Sequence, residues 1–296
     1  MTEADARKPR TQKPPPSPDG FPPSPLLAYH DSRFLESREA RPLRILAEYL
    51  HPLAELERQG VHDTVVFFGS ARQTEDGPLG RYYKAARTLA RLVTEWSLRT
   101  RPPALQCLIC SGGGGGMMEA ANRGASEAGG RTIGLNIGLP HEQHPNRWVT
   151  PELSFEFHYF FMRKLWFAHT ARAIVAFPGG FGTMDELFEM LTLSQTGKLD
   201  RPVQVLLFGS KYWREIVNFQ ALVEHGVISA EDLELFQFVD DPSEALEHLQ
   251  AVIPDEADCE SLGFAHSATC VRASGDPQPG TSSVRNETAT GSGDPS

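Results

Sequence analysis

The segment 178–186, PGGFGTMDE, carries the strongest chemical signal in the sequence. Three glycines and a threonine follow an apolar run at 173–177 and precede a helical pattern. A phosphate bound there would meet the free N–H groups of a helix N-terminus and the hydroxyl of Thr183. Thr183 and Glu186 also have the spacing of a capping box, in which Glu186 only hydrogen-bonds the backbone. The local pattern therefore leaves open whether Glu186 is a cap or an active carboxylate.

Two further glycine-containing turns follow predicted strands. The first contains Gly69 and Ser70, and the second is the run 111–116, SGGGGG, with Gly113 and Gly114 at its centre. Five glycines let the backbone approach a phosphate closely. The dinucleotide-binding fingerprint is incomplete, because the next strand, TIGLNI, does not end in an acidic residue. A flexible turn that binds nothing remains the alternative for this loop.

Arg163 and Lys164 interrupt an aromatic segment at 155–168 that the pattern predicts to be helical, with the helix extending over about 157–171. A helix that is apolar almost all round lies in the core or in an oligomer interface. A buried cation requires a partner, which could be an anionic nucleotide or Glu186. The alternative is that both side chains extend along the surface to water. Since adjacent helix positions point about 100° apart, only one of the two is expected to face a site.

The elements that must position these residues alternate between strands and helices. The apolar runs predict strands at 64–69, 105–110, 132–137, 173–177, 203–208 and 235–239, with helices between them and at about 212–224, 229–233 and 242–252. This alternation predicts an α/β fold, a Rossmann-like doubly wound parallel sheet, in a single domain over residues 30–253. Ligands of such sheets bind beyond the carboxyl ends of the strands, where the three glycine turns are expected to lie. The Pro-rich segment 1–25 and the polar segment 255–296 are predicted to be disordered tails.

Composition excludes several classes of protein. With 28 Lys+Arg and 38 Asp+Glu the formal charge is −10, which argues against a nucleic-acid-binding protein. No apolar stretch approaches the ~20 residues of a membrane helix, so we expect a cytoplasmic protein without a membrane partner. Cys107 and Cys110 should lie on opposite faces of a strand as buried thiols. The histidines, His141 among them, form no metal-ligand spacing with nearby carboxylates, and we predict no metal.

The motifs taken together resemble one family. PGGFGTMDE, combined with FMRK at 161–164, resembles the Lonely Guy (LOG) family of cytokinin riboside 5′-monophosphate phosphoribohydrolases, which are often mislabelled lysine decarboxylases. The similarity runs from about residue 65 to residue 213 and includes FFGSAR, SGGGGGMMEAANRGA and GLNIGLPHEQ. The wider set of motifs, FGSAR, EAANRGA, LPHEQ and GGFGTMDELFE, is similar to the longer bacterial subgroup of the family. Gly115 is a departure, because that subgroup is expected to have proline at this position.

The resemblance implies a function and a set of site residues. Arg163 and Glu186 take the positions of the family's catalytic pair, and the expected reaction cleaves a nucleoside 5′-monophosphate into a free base and ribose 5-phosphate. It also implies that no cofactor is used and that the protein is a homodimer or a larger assembly of dimers. The candidate substrate-binding residues are Ser70, Gly113, Gly114, Glu142, Lys164, Gly179, Gly180, Gly182, Thr183, Asp185 and Thr192.

Two other functions stay open at this point. A carrier of a nucleotide or of a pterin cofactor could use the same pocket without chemistry, but the presence of both Arg163 and Glu186 favours the enzyme. An NAD(P) oxidoreductase is weakened by the missing acidic residue after the third strand.

Overall fold

The computed structural model describes residues 25–139 and 144–253, and these residues contain one parallel sheet of seven strands. The strands are β1 (Asp63–Phe68), β2 (Cys107–Ser111), β3 (Thr132–Ile137), β4 (Ser154–Phe157), β5 (Ala171–Ala176), β6 (Gln204–Phe208) and β7 (Phe236–Val239). Their order across the sheet is β4-β3-β2-β1-β5-β6-β7, and every neighbouring pair is parallel. The predicted α/β fold with a parallel sheet is confirmed.

Helices cover both faces of the sheet. They are α1 (Ser32–Leu35), α2 (Arg41–Arg58), α3 (Gly80–Thr100), α4 (Met117–Glu127), α5 (Phe160–Thr170), α6 (Phe181–Gln195), α7 (Ser210–Ile216), α8 (Phe219–Glu224) and α9 (Pro242–Val252). Val65 and Phe67 of β1 pack into one core with α3, α4 and α9, whereas Val66 and Phe68 pack into the other with α2, α5 and α6. This alternation is the doubly wound arrangement that was predicted.

The two cysteines follow the same alternation. Cys107 belongs to the core beneath α3 and Cys110 to the core beneath α5, so they lie on opposite faces as predicted. Burial raises the pKa of both thiols well above the ordinary value, which makes them inert core groups at neutral pH.

Three predicted elements are wrong in type or extent. The helix predicted at about 157–171 begins only at Phe160, because residues 154–157 form strand β4, in which Phe155 and Phe157 point inward on either side of the exposed Glu156 and pair with β3. The helix predicted at 212–224 is two helices, because Val217 is extended and Asn218 caps α8 by accepting from the Ala221 N–H. The segment predicted to be helical at 229–233 forms a 3₁₀ turn, Glu231–Leu235.

A buried ionic cluster lies at the amino end of β1. The Asp63 carboxylate accepts from Arg172 at 2.7 Å, from Arg201 at 2.9 Å and from Arg101 at 3.4 Å, and all four residues are less than 10% exposed. Arg201 also donates to the Thr170 carbonyl at the end of α5, at 2.7 Å. One carboxylate and the negative end of a helix thus face three guanidinium groups.

Within residues 25–139 and 144–253, none of the helices combines the length and the apolarity that crossing a bilayer requires.

Candidate active site

The strand order reverses between β1 and β5, and three turns meet beyond the carboxyl ends of the strands there. The Ser70 N–H donates to the Pro178 carbonyl at 3.1 Å, and the Ser70 carbonyl accepts from the Met117 N–H at 3.0 Å. These two bonds join the turn after β1 to the turn after β5 and to the glycine loop after β2. Open α/β sheets bind their ligands at such a reversal point.

Arg163 and Glu186 form an ion pair at this edge of the sheet. Arg163 Nη2 lies 2.6 Å from Glu186 Oε1, and the two side chains are only 10% and 13% exposed. The guanidinium carbon lies 5.3 Å from the Phe160 ring centroid and 5.6 Å from that of Phe167. Arg163 Nε is buried and has no hydrogen-bond partner among the residues that the structure describes. The pair is therefore held in an apolar setting with one donor still available.

The capping-box interpretation of Glu186 is wrong. Helix α6 begins at Phe181 with Gly180 as its N-cap, and no side chain caps it. Thr183 therefore lies inside the first turn, and Glu186 lies in the second turn, where its carboxylate meets Arg163. The helix begins early because Gly180 is extended and its carbonyl already accepts from the Met184 N–H at 3.0 Å.

Burial changes the protonation of Glu186. Desolvation raises its pKa to about 7, even though the neighbouring Arg163 and Lys164 act to lower it. A carboxyl group with this pKa exchanges a proton near neutral pH, which is a property of groups that act as acids or bases in catalysis.

Lys164 also contacts α6, but at other residues than Arg163 does. Its Nζ lies 2.8 Å from Asp185 Oδ2 and 2.7 Å from Glu189 Oε2. Thr192, one turn further on, donates its hydroxyl hydrogen to the Phe188 carbonyl at 2.7 Å. Lys164, Asp185 and Thr192 line one open cavity of about 690 Å³. The structure therefore brings these three candidates together around one cavity, whose lining includes neither Arg163 nor Glu186.

The glycine turn after β5 is built around Gly179. A side chain at Gly179 would collide with the side chain of Thr183, which is buried beneath the turn. Tyr212 of α7 donates its hydroxyl hydrogen to the Gly179 carbonyl at 2.7 Å. At Gly180 and Gly182, in contrast, the space within 4 Å of the position that a Cβ atom would take is open. The turn thus has a fixed inner side and an open outer side.

Tyr212 was not among the predicted site residues. It comes from a different helix 33 residues further on, and no local pattern marks it as a partner of the turn. The predicted residue Glu142 lies outside the described residues. Among the residues 25–139 and 144–253, no three His, Cys, Asp or Glu side chains are grouped so that they could hold a metal ion.

Comparison with known proteins finds relatives described as cytokinin riboside 5′-monophosphate phosphoribohydrolases. Residues 118–249 match the family model described as possible lysine decarboxylase. The probable cytokinin riboside 5′-monophosphate phosphoribohydrolase LOG4 of Oryza sativa subsp. japonica is 29% identical over 194 residues, 65% of this chain and 78% of that protein. The cytokinin riboside 5′-monophosphate phosphoribohydrolase LOG3 of Arabidopsis thaliana is 30% identical over 151 residues, 50% of this chain and 68% of that protein.

Solved structures with a similar chain trace include proteins of another kind. The molybdenum cofactor carrier protein of Chlamydomonas reinhardtii is 21% identical with a TM-score of 0.43, over 65% of this chain and 98% of that one. The molybdenum cofactor binding protein of Rippkaea orientalis is 18% identical with a TM-score of 0.45, over 65% of this chain and 98% of that one.

Proposed function

Since the chain belongs to the Lonely Guy (LOG) family, we propose that it hydrolyses the N-glycosidic bond of nucleoside 5′-monophosphates, with AMP and N6-modified adenine nucleotides as substrates. The products are the free base and ribose 5-phosphate. The buried Arg163–Glu186 pair at the reversal point of the sheet is the observation that carries this proposal.

The chemistry of the bond explains why such a pair is useful. When the bond between C1′ and the base nitrogen breaks, its electron pair goes to the base and C1′ gains oxocarbenium character. Water then adds to C1′ and gives up a proton, which balances the proton that the departing base nitrogen takes up. An ionised Glu186 supplies negative charge beside the cationic sugar and an acceptor for that proton. Arg163 holds the carboxylate in place at 2.6 Å.

The 5′-phosphate positions the sugar for this step. The open outer side of the turn at Gly180 and Gly182 leaves room for an anion at the same edge. Binding energy from the phosphate is then used to hold C1′ against Glu186.

This arrangement predicts a strong preference for phosphorylated substrates. We expect kcat/KM for AMP to exceed that for adenosine by roughly 10²-fold or more, because adenosine lacks the group that anchors the sugar. Release of free adenine, followed by chromatography, measures both rates. Equal values for the two substrates would contradict phosphate anchoring, and binding of AMP without any release of base would favour a carrier.

The raised pKa of Glu186 predicts the pH dependence of the reaction. Because the carboxylate is the active form, kcat/KM for AMP should rise with pH and level off above about 7. The residual rate of the Glu186→Gln variant should lack this rise. A wild-type profile that is flat between pH 5 and 8, once the ionisation of the substrate phosphate is accounted for, would show that another group controls the rate.

We also propose that the protein is a homodimer joined through the exposed aromatic face of α5 and α6. Phe160 and Phe161 of α5 are about half exposed, at 51% and 50%, and they line the same cavity as Phe188 of α6, which is 38% exposed. Exposed aromatic side chains from two helices around one cavity form a patch that is typical of an interface.

Light scattering tests the homodimer. We expect a mass of about twice the 32.7 kDa of the chain, and a monomer for Phe161→Glu. Val227→Glu, which alters an exposed residue after α8, is the matched control and should remain dimeric. A wild-type mass near that of one chain would refute the dimer.

A further inference from the structure

A chain of polar side chains lies behind the glycine loop after β2. Asn122 of α4 is fully buried, and its Nδ2 donates to Thr132 Oγ1 at 2.6 Å. Its Oδ1 accepts from Ser111 Oγ at 2.7 Å and from Asn146 Nδ2 at 2.8 Å. The Thr132 hydroxyl donates to the Ile109 carbonyl at 2.9 Å, so it can only accept from Asn122. This bond fixes the orientation of the Asn122 amide.

Asn146 connects this chain to the backbone of the loop. Its Nδ2 lies 3.1 Å from the Gly113 carbonyl oxygen and 3.0 Å from that of Gly114, and its own backbone N–H donates to Gly113 at 2.7 Å. The carbonyls of Gly113 and Gly114 are therefore turned towards Asn146 and away from the open side of the loop. Gly113 reaches this conformation with a φ of +70°, which a residue with a side chain rarely adopts.

Because the carbonyls of Gly113 and Gly114 are held in one orientation, the N–H groups of the same two peptide units are held as well. In a planar trans peptide the N–H points opposite to the C=O, so the N–H groups of Gly114 and Gly115 point away from Asn146. Within residues 25–139 and 144–253, no acceptor receives either N–H group. Successive unpaired backbone N–H groups form a concave surface that suits an anion.

The glycine loop after β2 lies next to Arg163 of the Arg163–Glu186 pair. A side chain at Gly112 would come within 3.9 Å of Arg163 Nη1, and Gly116 packs against the Ser70 carbonyl. The free N–H groups are thus carried by a loop that runs between Arg163 and the turn after β1.

We infer that Asn146 and Asn122 are positioning residues, which turn the glycine loop so that its N–H groups bind the phosphate of the substrate. The inference rests on the proposed function, because it requires a substrate that carries a phosphate. Neither residue touches the substrate, and both act through the loop backbone.

Asn146→Ala is the first test, since Asn146 is only partly buried and lies outside both cores. We expect KM for AMP and Kd for ribose 5-phosphate to rise together by roughly tenfold, with kcat within about threefold of the wild type. Calorimetry with ribose 5-phosphate measures the affinity without needing any turnover.

Asn146→Asp separates positioning from packing. Aspartate has the same shape, but it would place a carboxylate against the carbonyls of Gly113 and Gly114 and against Asn122 Oδ1. Repulsion should turn the loop, so KM and Kd should rise further than in Asn146→Ala, by roughly thirtyfold. If Asn146 only filled space, the aspartate variant would bind better than the alanine variant.

Ser97→Ala is the matched control. The Ser97 hydroxyl is buried and accepts from the Cys107 N–H at 2.8 Å, at the opposite end of the same strand. This variant should lower the melting temperature and leave KM and Kd unchanged, which shows that lost stability alone does not weaken binding.

Failure of the proposed hydrolase function and failure of the positioning role of Asn146 give different results in these experiments. If the wild type binds ribose 5-phosphate but does not hydrolyse AMP, the proposed function fails and the Kd values alone decide the role of Asn146. Unchanged KM and Kd in Asn146→Ala, a fall in kcat at constant KM, or a wild type that does not bind ribose 5-phosphate would overturn the positioning role.

Discussion

Replacing Glu186 by glutamine is expected to lower AMP turnover by roughly 10²-fold or more without unfolding the protein. Glutamine keeps the size of the side chain but cannot supply a negative charge to C1′ or accept a proton from water. The helix N-terminus does not depend on this residue, because Gly180 is the N-cap of α6. AMP affinity should therefore stay close to the wild-type value, and the loss should appear in kcat.

Relative to the wild type, the same variant should become more stable as the pH rises from 5 to 8. The pKa of Glu186 is about 7 in the folded protein and about 4.5 in the unfolded chain, so the folded state binds more protons between these values. Stability then falls as the pH rises through this window, and the cost is fully present above pH 7. Glutamine lacks this cost, so the free energy of unfolding of the variant relative to that of the wild type should increase by about 1–3 kcal/mol between pH 4.5 and pH 8.

Thermal melting at pH 5 and pH 8, beside AMP turnover, checks both expectations. Glu127→Gln is the matched control, because Glu127 is paired with Arg87 of α3 and with Arg123 of α4, and its pKa is lowered, mainly by its hydrogen bond from Arg87. Turnover should survive that substitution, and any change in stability should have the opposite sign. Near-normal turnover of Glu186→Gln would refute the catalytic assignment.

Local patterns predict the framework of the site but not all of its contacts. The glycine turns after β1, β2 and β5 could be placed because apolar runs ending in glycine mark the carboxyl ends of parallel strands. The need of a buried Arg163 for an anionic partner left a nucleotide and Glu186 as candidates, and in the structure Arg163 Nη2 lies 2.6 Å from Glu186 Oε1. In each case the signal is carried by residue types within one short segment.

The wrong predictions arise where one segment satisfies two patterns. The aromatic run at 155–168 contains a strand and a helix, and a nearly continuous run of apolar residues hides the change of period between Phe157 and Phe160. Thr183 and Glu186 have the spacing of a capping box, but the extended Gly180 lets α6 begin before Thr183. Local spacing cannot decide such cases, because the packing of the rest of the chain selects between them.

The contacts that Asn146 and Tyr212 make with distant segments have no local signal in the sequence. Asn146 binds the carbonyls of a loop 32 and 33 residues earlier, and Tyr212 binds a carbonyl 33 residues earlier. Both residues support the glycine turns, and both have ordinary sequence surroundings. Only the order of the strands brings them to the same edge of the sheet.

The ionic cluster at the amino end of β1 was equally hidden, because the three arginines lie 38, 109 and 138 residues from Asp63. Asp63→Asn should lower the free energy of unfolding by about 3–5 kcal/mol, since it leaves three buried guanidinium groups without their carboxylate. Urea denaturation measures this as a lower midpoint with an unchanged slope. The active site lies at the opposite edge, so AMP turnover per folded molecule should not change.

A second substitution identifies the cause of that loss. If excess positive charge is responsible, Asp63→Asn combined with Arg172→Met should recover part of the stability, because the cluster then holds one cation fewer. Asp240→Asn is the control, since its exposed carboxylate accepts from the backbone N–H and the hydroxyl of Ser210. This substitution should lower the free energy of unfolding by about 1 kcal/mol or less. A loss below about 1 kcal/mol for Asp63→Asn would mean that backbone carbonyls such as that of Thr170 already balance the arginines.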